Sequence, residues 1–170
     1  MKLSVILVNY NVRYYLENCL RSALKASLGL NVEIIVVDNA STDGSSEMMK
    51  DLFPEVEYMY LEKNIGFSGA NNLGIKRSTG DYILLLNPDT VVQEDSFSSC
   101  LNYLGSSPNV GGLGVKMLDG LGTFLPESKR GLPTPMAAFY KIFGLSSIFP
   151  NSKTFGKYHL GYLNKNENHN

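Results

Sequence analysis

Three apolar runs, each stopping abruptly at a polar residue, constrain the fold of this chain more than any other feature. Residues 3–8 read Leu-Ser-Val-Ile-Leu-Val and give way to Asn9 and Tyr10. Residues 32–37 read Val-Glu-Ile-Ile-Val-Val and stop at Asp38. Residues 82–86 read Tyr-Ile-Leu-Leu-Leu and stop at Asn87, Pro88 and Asp89. Aliphatic runs with so little polar alternation mark strands buried on both faces. Between the first two, Tyr15, Leu16, Cys19, Leu20, Ala23 and Leu24 recur at helical spacing, which predicts a helix over 13–27.

The alternation continues. A helix is expected over 41–52, capped by Ser45 or Asp43 and broken by Pro54. A weaker strand follows over 56–61, then a helix over 66–76 entered through a glycine-rich turn. Strand 81–86, helix 93–104 and a fifth strand over 110–115 complete the series. Strand and helix in strict succession predict an α/β fold, a mostly parallel sheet flanked by helices on both faces. Residues 1–115 form the expected α/β domain. Residues 116–170 are rich in Gly, Pro, Ser, Asn and Lys and read as a loop-rich extension of the same domain, with a short helix near 136–143.

With 170 residues, 44% of them hydrophobic and a net charge of −1, the chain has the composition of a single folded domain. It has no basic excess to grip nucleic acid. Cys19 and Cys100 lie far apart in predicted helices and read as reduced core thiols of a cytoplasmic protein. The apolar run at the N-terminus is too short for a signal peptide or a membrane span.

In a parallel sheet, ligands bind beyond the carboxyl ends of the strands. Tyr10, Asp38 and Asp89 each follow such an end. No G-x-G-x-x-G follows the first strand and no G-x-x-x-x-G-K-S/T loop is present, so phosphates need a metal, with Asp89 the best-placed ligand. The Asp38 carboxylate, or the neighbouring Asn39 amide, can accept from a pyrimidine N3–H, and Tyr10 can stack a base. The plainer reading makes Asp38 an Asx-turn residue and Tyr10 a cover for the sheet edge. Residues 64–74 offer three glycines and three asparagines, either a turn into a closely packed helix or a backbone wall beside a nucleotide. His159 and His169 read as surface residues.

Four motifs then combine. Residues 4–11 (Ser-Val-Ile-Leu-Val-Asn-Tyr-Asn), 36–45 (Val-Val-Asp-Asn-Ala-Ser-Thr-Asp-Gly-Ser), 64–75 (Asn-Ile-Gly-Phe-Ser-Gly-Ala-Asn-Asn-Leu-Gly-Ile) and 80–90 (Gly-Asp-Tyr-Ile-Leu-Leu-Leu-Asn-Pro-Asp-Thr) resemble family 2 glycosyltransferases, in order and spacing. The Asn-Pro-Asp-Thr variant most resembles the rhamnosyltransferase-like branch of bacterial polysaccharide synthesis. The resemblance implies a GT-A fold, a nucleotide-diphosphate sugar donor, Mg²⁺ or Mn²⁺, and a saccharide or lipid-linked acceptor, with inversion at the sugar. It implies that Val8 and Tyr10 line the base pocket, with Asn11 and Gly66 beside the nucleotide. Asp38 would bond the base and Asp89 the metal. Asn87 stands at the first position of the family's D-x-D motif, and Asn71 where many relatives carry Arg.

The general base of such enzymes normally lies in a Glu-Asp pair downstream. Asp119, Glu127 and Glu167 are the acidic residues after Asp95, and none is in an acidic pair. The catalytic residue is therefore unassigned. The expectation is a chain that ends before its acceptor-side segment. A catalytically incomplete nucleotide-sugar-binding module is the alternative, and a nucleotidyltransferase is disfavoured by the missing glycine-rich, Arg-containing loop. Peripheral membrane contact at the inner face of the cell membrane, through aromatics between 139 and 149, and homo-oligomerisation are left open.

Overall fold

The computed structural model describes residues 1–125, 128, 131, 134–158, 160, 162 and 163. They fall into two compact units, Met1–Ser106 and Ser107–Asn170. The first unit alternates β1 (Leu3–Asn9), α1 (Arg13–Ala26), β2 (Val32–Asp38), α2 (Ser45–Leu52), β3 (Glu57–Tyr60), α3 (Gly66–Arg77), β4 (Tyr82–Leu86) and α4 (Ser96–Ser106). All strand pairs are parallel, in the order β3-β2-β1-β4.

The two-residue period of a strand sorts each apolar run onto two faces. Leu3, Val5 and Leu7 of β1 join Ile34 and Val36 of β2 on one face. Against them pack Leu16, Cys19 and Leu20 of α1, Met48 and Met49 of α2, and Phe97 and Leu101 of α4. The opposite face holds Val8, Ile35 and Val37, covered by Ala70 of α3. That helix sits close because its inner residues are small. A Cβ on Gly74 would stand 2.5 Å from Ile6 Cγ2, inside any tolerable contact, so a larger residue would push the helix away.

The helix boundaries follow from capping. Gly44, not Ser45, is the N-cap of α2. The capping chemistry comes from Asp43: its carboxylate accepts from Ser45 N (3.2 Å) and from Arg13 N at the start of α1 (2.8 Å). One anion therefore serves the positive ends of two helices. Burial would raise its pKa, but the bonds from the Ser45 hydroxyl and the Arg13 and Ser45 amides outweigh it and hold Asp43 below the ordinary carboxylate value.

In the second unit, α5 (Pro135–Ile142) is capped by Thr134, whose Oγ1 accepts from Ala137 N at 3.2 Å, with Pro135 opening the helix. A short α6 (Leu145–Ile148) follows. The expected strand over 110–115 does not form; those residues carry no ladder. Gly111, Gly112 and Gly114 raise the entropy cost of an extended run, and no partner strand repays it. Among the described residues of the second unit, an isolated bridge joins Leu118 and Phe124.

Candidate functional site

Parallel strands bring their carboxyl ends to one edge. The register sets Asn9 beside Asp38, Asp38 beside Tyr60, and Leu7 beside Leu86. From β1 the chain builds outward through β2 and β3, then returns to place β4 on the other side of β1. The strand order thus reverses between β1 and β4, and the crevice outside such a switch point is where open α/β sheets bind ligands.

On the β4 side, Leu86 is buried and the chain then turns. Thr90 N donates to Asn87 O at 3.1 Å, closing a turn with Pro88 and Asp89 in the middle. Proline suits the second position of such a turn, and its fixed φ presents the next residue outward. Asn87 and Asp89 are both exposed. Beneath the turn lies α1. Cys19 Sγ donates to Asn87 O at 3.5 Å, and the Ser22 hydroxyl accepts from Val92 N at 3.1 Å while donating to Cys19 O at 2.8 Å. Burial pushes the Cys19 thiol up to about 12 against the opposing bond from the Thr90 amide, and the nearby Asp89 charge adds to the rise. The thiol is therefore a neutral donor under the turn.

On the β1 and β2 side, two loops interlock. Asn39 N donates to Asn9 O (2.8 Å), Asn11 N to Ser41 Oγ (3.0 Å), and Thr42 N to Asn11 Oδ1 (2.8 Å). Asn11 (φ 55°) and Ala40 (φ 70°) both take the left-handed conformation that this crossing needs. Tyr10 is left half-exposed at the rim, and Val8 is buried directly beneath the edge.

Asp38 departs from its expected role. Its side chain is fully buried. Oδ2 accepts from Asn9 Nδ2 at 2.7 Å and Oδ1 from Ser41 N at 2.7 Å. Asn9 Nδ2 also approaches Ser41 Oγ (3.0 Å) and Ser45 Oγ (2.9 Å), leaving Asn9 Oδ1 buried without a partner. Asp38 and Asn9 share the strand face of Val36 and Leu7, so their side chains enter the packing beneath α2. This is the Asx-turn reading: a carboxylate that holds the 38–41 loop. Tyr58 belongs to the same network. Burial holds its phenol above the ordinary range despite a 2.8 Å bond with Ser46, and the Asp38 charge adds to the rise.

The next residue, Asn39, has the opposite parity and meets the turn before α3. Its Nδ2 donates to Asn64 Oδ1 (2.9 Å) and its Oδ1 accepts from Ile65 N (2.8 Å). Asn64 Oδ1 also accepts from Gly66 N at 2.8 Å. Gly66 is exposed, with φ 79°, a conformation that favours glycine. Asn71 is a second departure. It is nearly buried with Ala70 and Gly74 on the sheet-facing side of α3, and its Nδ2 donates back to Phe67 O at 2.9 Å. Packing, not ligand access, explains it.

The rim therefore gathers the exposed Tyr10, Asn11, Asn64, Gly66, Asn87 and Asp89, with the buried Asn39 bracing Asn64 from behind. Asn39 is as closed off as the carboxylate before it, 3% exposed with both amide atoms engaged, and strand parity sends the two side chains to opposite faces of the sheet. Cys19 and Ser22 carry no motif and become visible only once α1 is laid under the turn. A depression of about 400 Å³ lined by Ser41, Thr42, Gly44, Ser46, Glu47 and Tyr60 lies on the neighbouring flank and does not include Asp89.

Among the described residues no group of three or more His, Cys, Asp or Glu could cage a metal ion. Asp89 supplies one exposed carboxylate. That donor set fits a hard cation held jointly with the oxygens of a diphosphate, the usual manner of Mg²⁺, and does not fit a resident all-protein centre. Of the acidic residues after Asp95, Asp119 is engaged in a turn, its Oδ1 accepting from Leu121 N (2.9 Å) and Thr123 N (2.8 Å). Glu127, Glu167, His159 and His169 lie outside the described residues.

Comparison with known proteins gives a consistent answer. The family described as glycosyl transferase family 2 matches residues 4–158. Glycosyltransferase GlyA of Streptococcus pneumoniae is 37% identical over 97 residues, 55% of this chain and 14% of that protein. The minor teichoic acid biosynthesis protein GgaB of Bacillus subtilis is 34% identical over 110 residues, 62% of this chain and 12% of its own length. The crystal structure of S. aureus TarS 1-349 in complex with UDP superimposes with a TM-score of 0.62 at 25% identity, over 81% of this chain and 39% of that one. The chain thus spans well under two thirds of the relatives it matches.

Proposed function

The chain belongs to glycosyl transferase family 2, with a GT-A-type fold, and on that premise we propose that it binds a nucleotide-diphosphate sugar across the β1–β4 crevice. The sugar would pass, with inversion, to a saccharide or lipid-linked acceptor of a cell-surface polysaccharide. The observation that carries this reading is the exposed Asp89 carboxylate, held on a closed turn beside the half-exposed Tyr10 at the switch point of the sheet.

Each rim residue then has a task. Tyr10 stacks the base above Val8. Asn39, buried and bonded to Asn64 and Ile65 N, acts indirectly by holding the turn that carries Gly66. Asn11 and Gly66 border the nucleotide with backbone shaped by their positive φ values. Asn87 faces the ribose, and Asp89 takes Mg²⁺ or Mn²⁺ together with the diphosphate. When bound, such a cation neutralises charge developing on the leaving diphosphate. Asp38 acts indirectly, holding the loop that carries Asn39. Deprotonation of the acceptor hydroxyl requires a base that the described residues do not identify.

A second reading is favoured by specific observations. The turn offers one carboxylate where relatives with D-x-D have two, and Asp119 is committed to backbone amides. A module that binds the donor without turnover fits these facts. Calorimetry of the chain with UDP, dTDP and GDP, each with and without Mn²⁺, tests both. The TarS complex with UDP makes UDP the first probe. One nucleotide is expected to bind and to bind more tightly with Mn²⁺. In Asp89→Asn the Mn²⁺-dependent gain should fall by about tenfold or more, the scale of a charged contact. Absence of binding to all three would sink both readings. Binding without sugar transfer would select the module.

A further inference from the structure

The second unit contains a helix turned inside out. α5 buries its small Ala137 at 3% exposure, while Met136, Phe139, Ile142 and Phe143 are 55%, 47%, 79% and 64% exposed. Successive residues of a helix turn by about 100°, so those four occupy one arc and Ala137 lies well away from it. Ile148 and Phe149, after the following turn, are exposed too. The surface is preformed: the Phe139 and Phe143 rings stand 4.4 Å apart, Tyr140 meets Phe155 edge-on at 5.0 Å, and Phe149 meets the same ring at 5.7 Å. Exposed apolar clusters of this kind mark interaction surfaces.

Charge indicates the partner. Between residues 134 and 158 the sequence holds Lys141, Lys153 and Lys157 and no acidic residue, in a chain whose overall net charge is −1. All three lysines are exposed. Lys141 Nζ lies 5.0 Å from the centre of the Tyr158 ring, which holds its charge within this unit. The same spacing puts Lys141 on the far side of α5 from the arc, which leaves Lys153 and Lys157 as the cations to meet a partner. Apolar side chains in a segment that carries cations and no anions are complementary to a surface that is apolar below and negative above. Among the described residues no helix is long and apolar enough to cross a membrane, so the contact is one of docking, not spanning.

We infer that the α5–α6 face of the second unit docks on an anionic lipid surface, independently of nucleotide binding. Co-sedimentation of the whole chain with vesicles of phosphatidylglycerol or of phosphatidylcholine, at low and high salt, tests this. Binding to phosphatidylglycerol vesicles is expected, with weak binding to phosphatidylcholine and loss at high salt. Lys153→Gln with Lys157→Gln should weaken it about thirtyfold, at roughly 1 kcal/mol per lysine near the surface. Phe139→Ser with Phe143→Ser should abolish it. The lysine pair is exposed, so its variant remains informative if the aromatic one fails to fold. Failure of the wild-type chain to sediment with phosphatidylglycerol would overturn the inference, as would equal binding by both variants. So would a dimer that the aromatic variant dissociates and that does not bind vesicles, because a second copy would then be the occupant.

Discussion

Glu33 shows how much a single carboxylate can contribute away from the ligand. It accepts from Lys2 Nζ (2.5 Å), Ser4 Oγ (2.5 Å), Thr79 N (2.6 Å) and Thr79 Oγ1 (2.9 Å), tying the start of β1 to the segment entering β4. Burial would raise its pKa, but these donors outweigh it and lower the value from 4.5 to about 2. A lowered folded value means stability is fully present above the unfolded pKa and drains as pH falls from 4.5 toward 2. Denaturant titrations across that range should lose about 1 kcal/mol more in the wild type than in Glu33→Gln, because solvent around a partly exposed carboxylate screens most of the full shift. In Glu33→Gln they should start lower and slope less. Nothing in the local sequence sets Glu33 apart from other charged residues, because its partners lie up to 46 positions away. Asp38 and Asp89 make the complementary point. Both were legible as strand-end acids, but exposure separates them: one is sealed beneath α2 with both oxygens engaged, the other stands free on a turn. Strand parity, available from sequence, distinguishes Asp38 from Asn39. Burial of Asn71 depended on which side of α3 met the sheet.

The elements were the most legible level. Runs of aliphatic residues and helical spacing locate four strands and four helices of the first unit, because each pattern follows from the geometry of its own backbone. The strand expected over 110–115 failed because a strand also requires a neighbour. What no element reveals alone is the brace that α1 provides to the 87–90 turn. Cys19 bonds the first carbonyl of the turn and Ser22 the amide of Val92, so both ends of the loop carrying Asp89 rest on one helix. Ser22→Ala leaves the Val92 amide without that acceptor. It should cost about 1 kcal/mol of stability. UDP titrations should also lose part of the Mn²⁺-dependent gain in affinity, while uridine, which has no diphosphate, binds as before. An unchanged Mn²⁺ dependence would show that the turn holds its shape without the helix.

At the scale of the whole molecule, the proposed donor site draws on the first unit alone. Saturating nucleotide at about a hundredfold above its Kd should stabilise the folded state by about 2.7 kcal/mol and raise Tm by roughly 5–10 °C. Hydrogen exchange should slow at 9–11, 39–41, 64–66 and 87–90, and remain as before over 134–158. Protection appearing in the second unit would place part of the site there. By itself the sequence determined the parallel α/β class, the polar residues at the strand ends and the family, since period, run length and motif spacing are local properties of a chain. Only the tertiary structure decided which of those polar residues reach solvent. It turned Asp38 and Asn39 into buried braces on opposite faces of the sheet, laid α1 beneath Asp89 and exposed the aromatic arc of α5. Each outcome depends on what other segments cover, and burial is a property of the packed molecule, not of the residue.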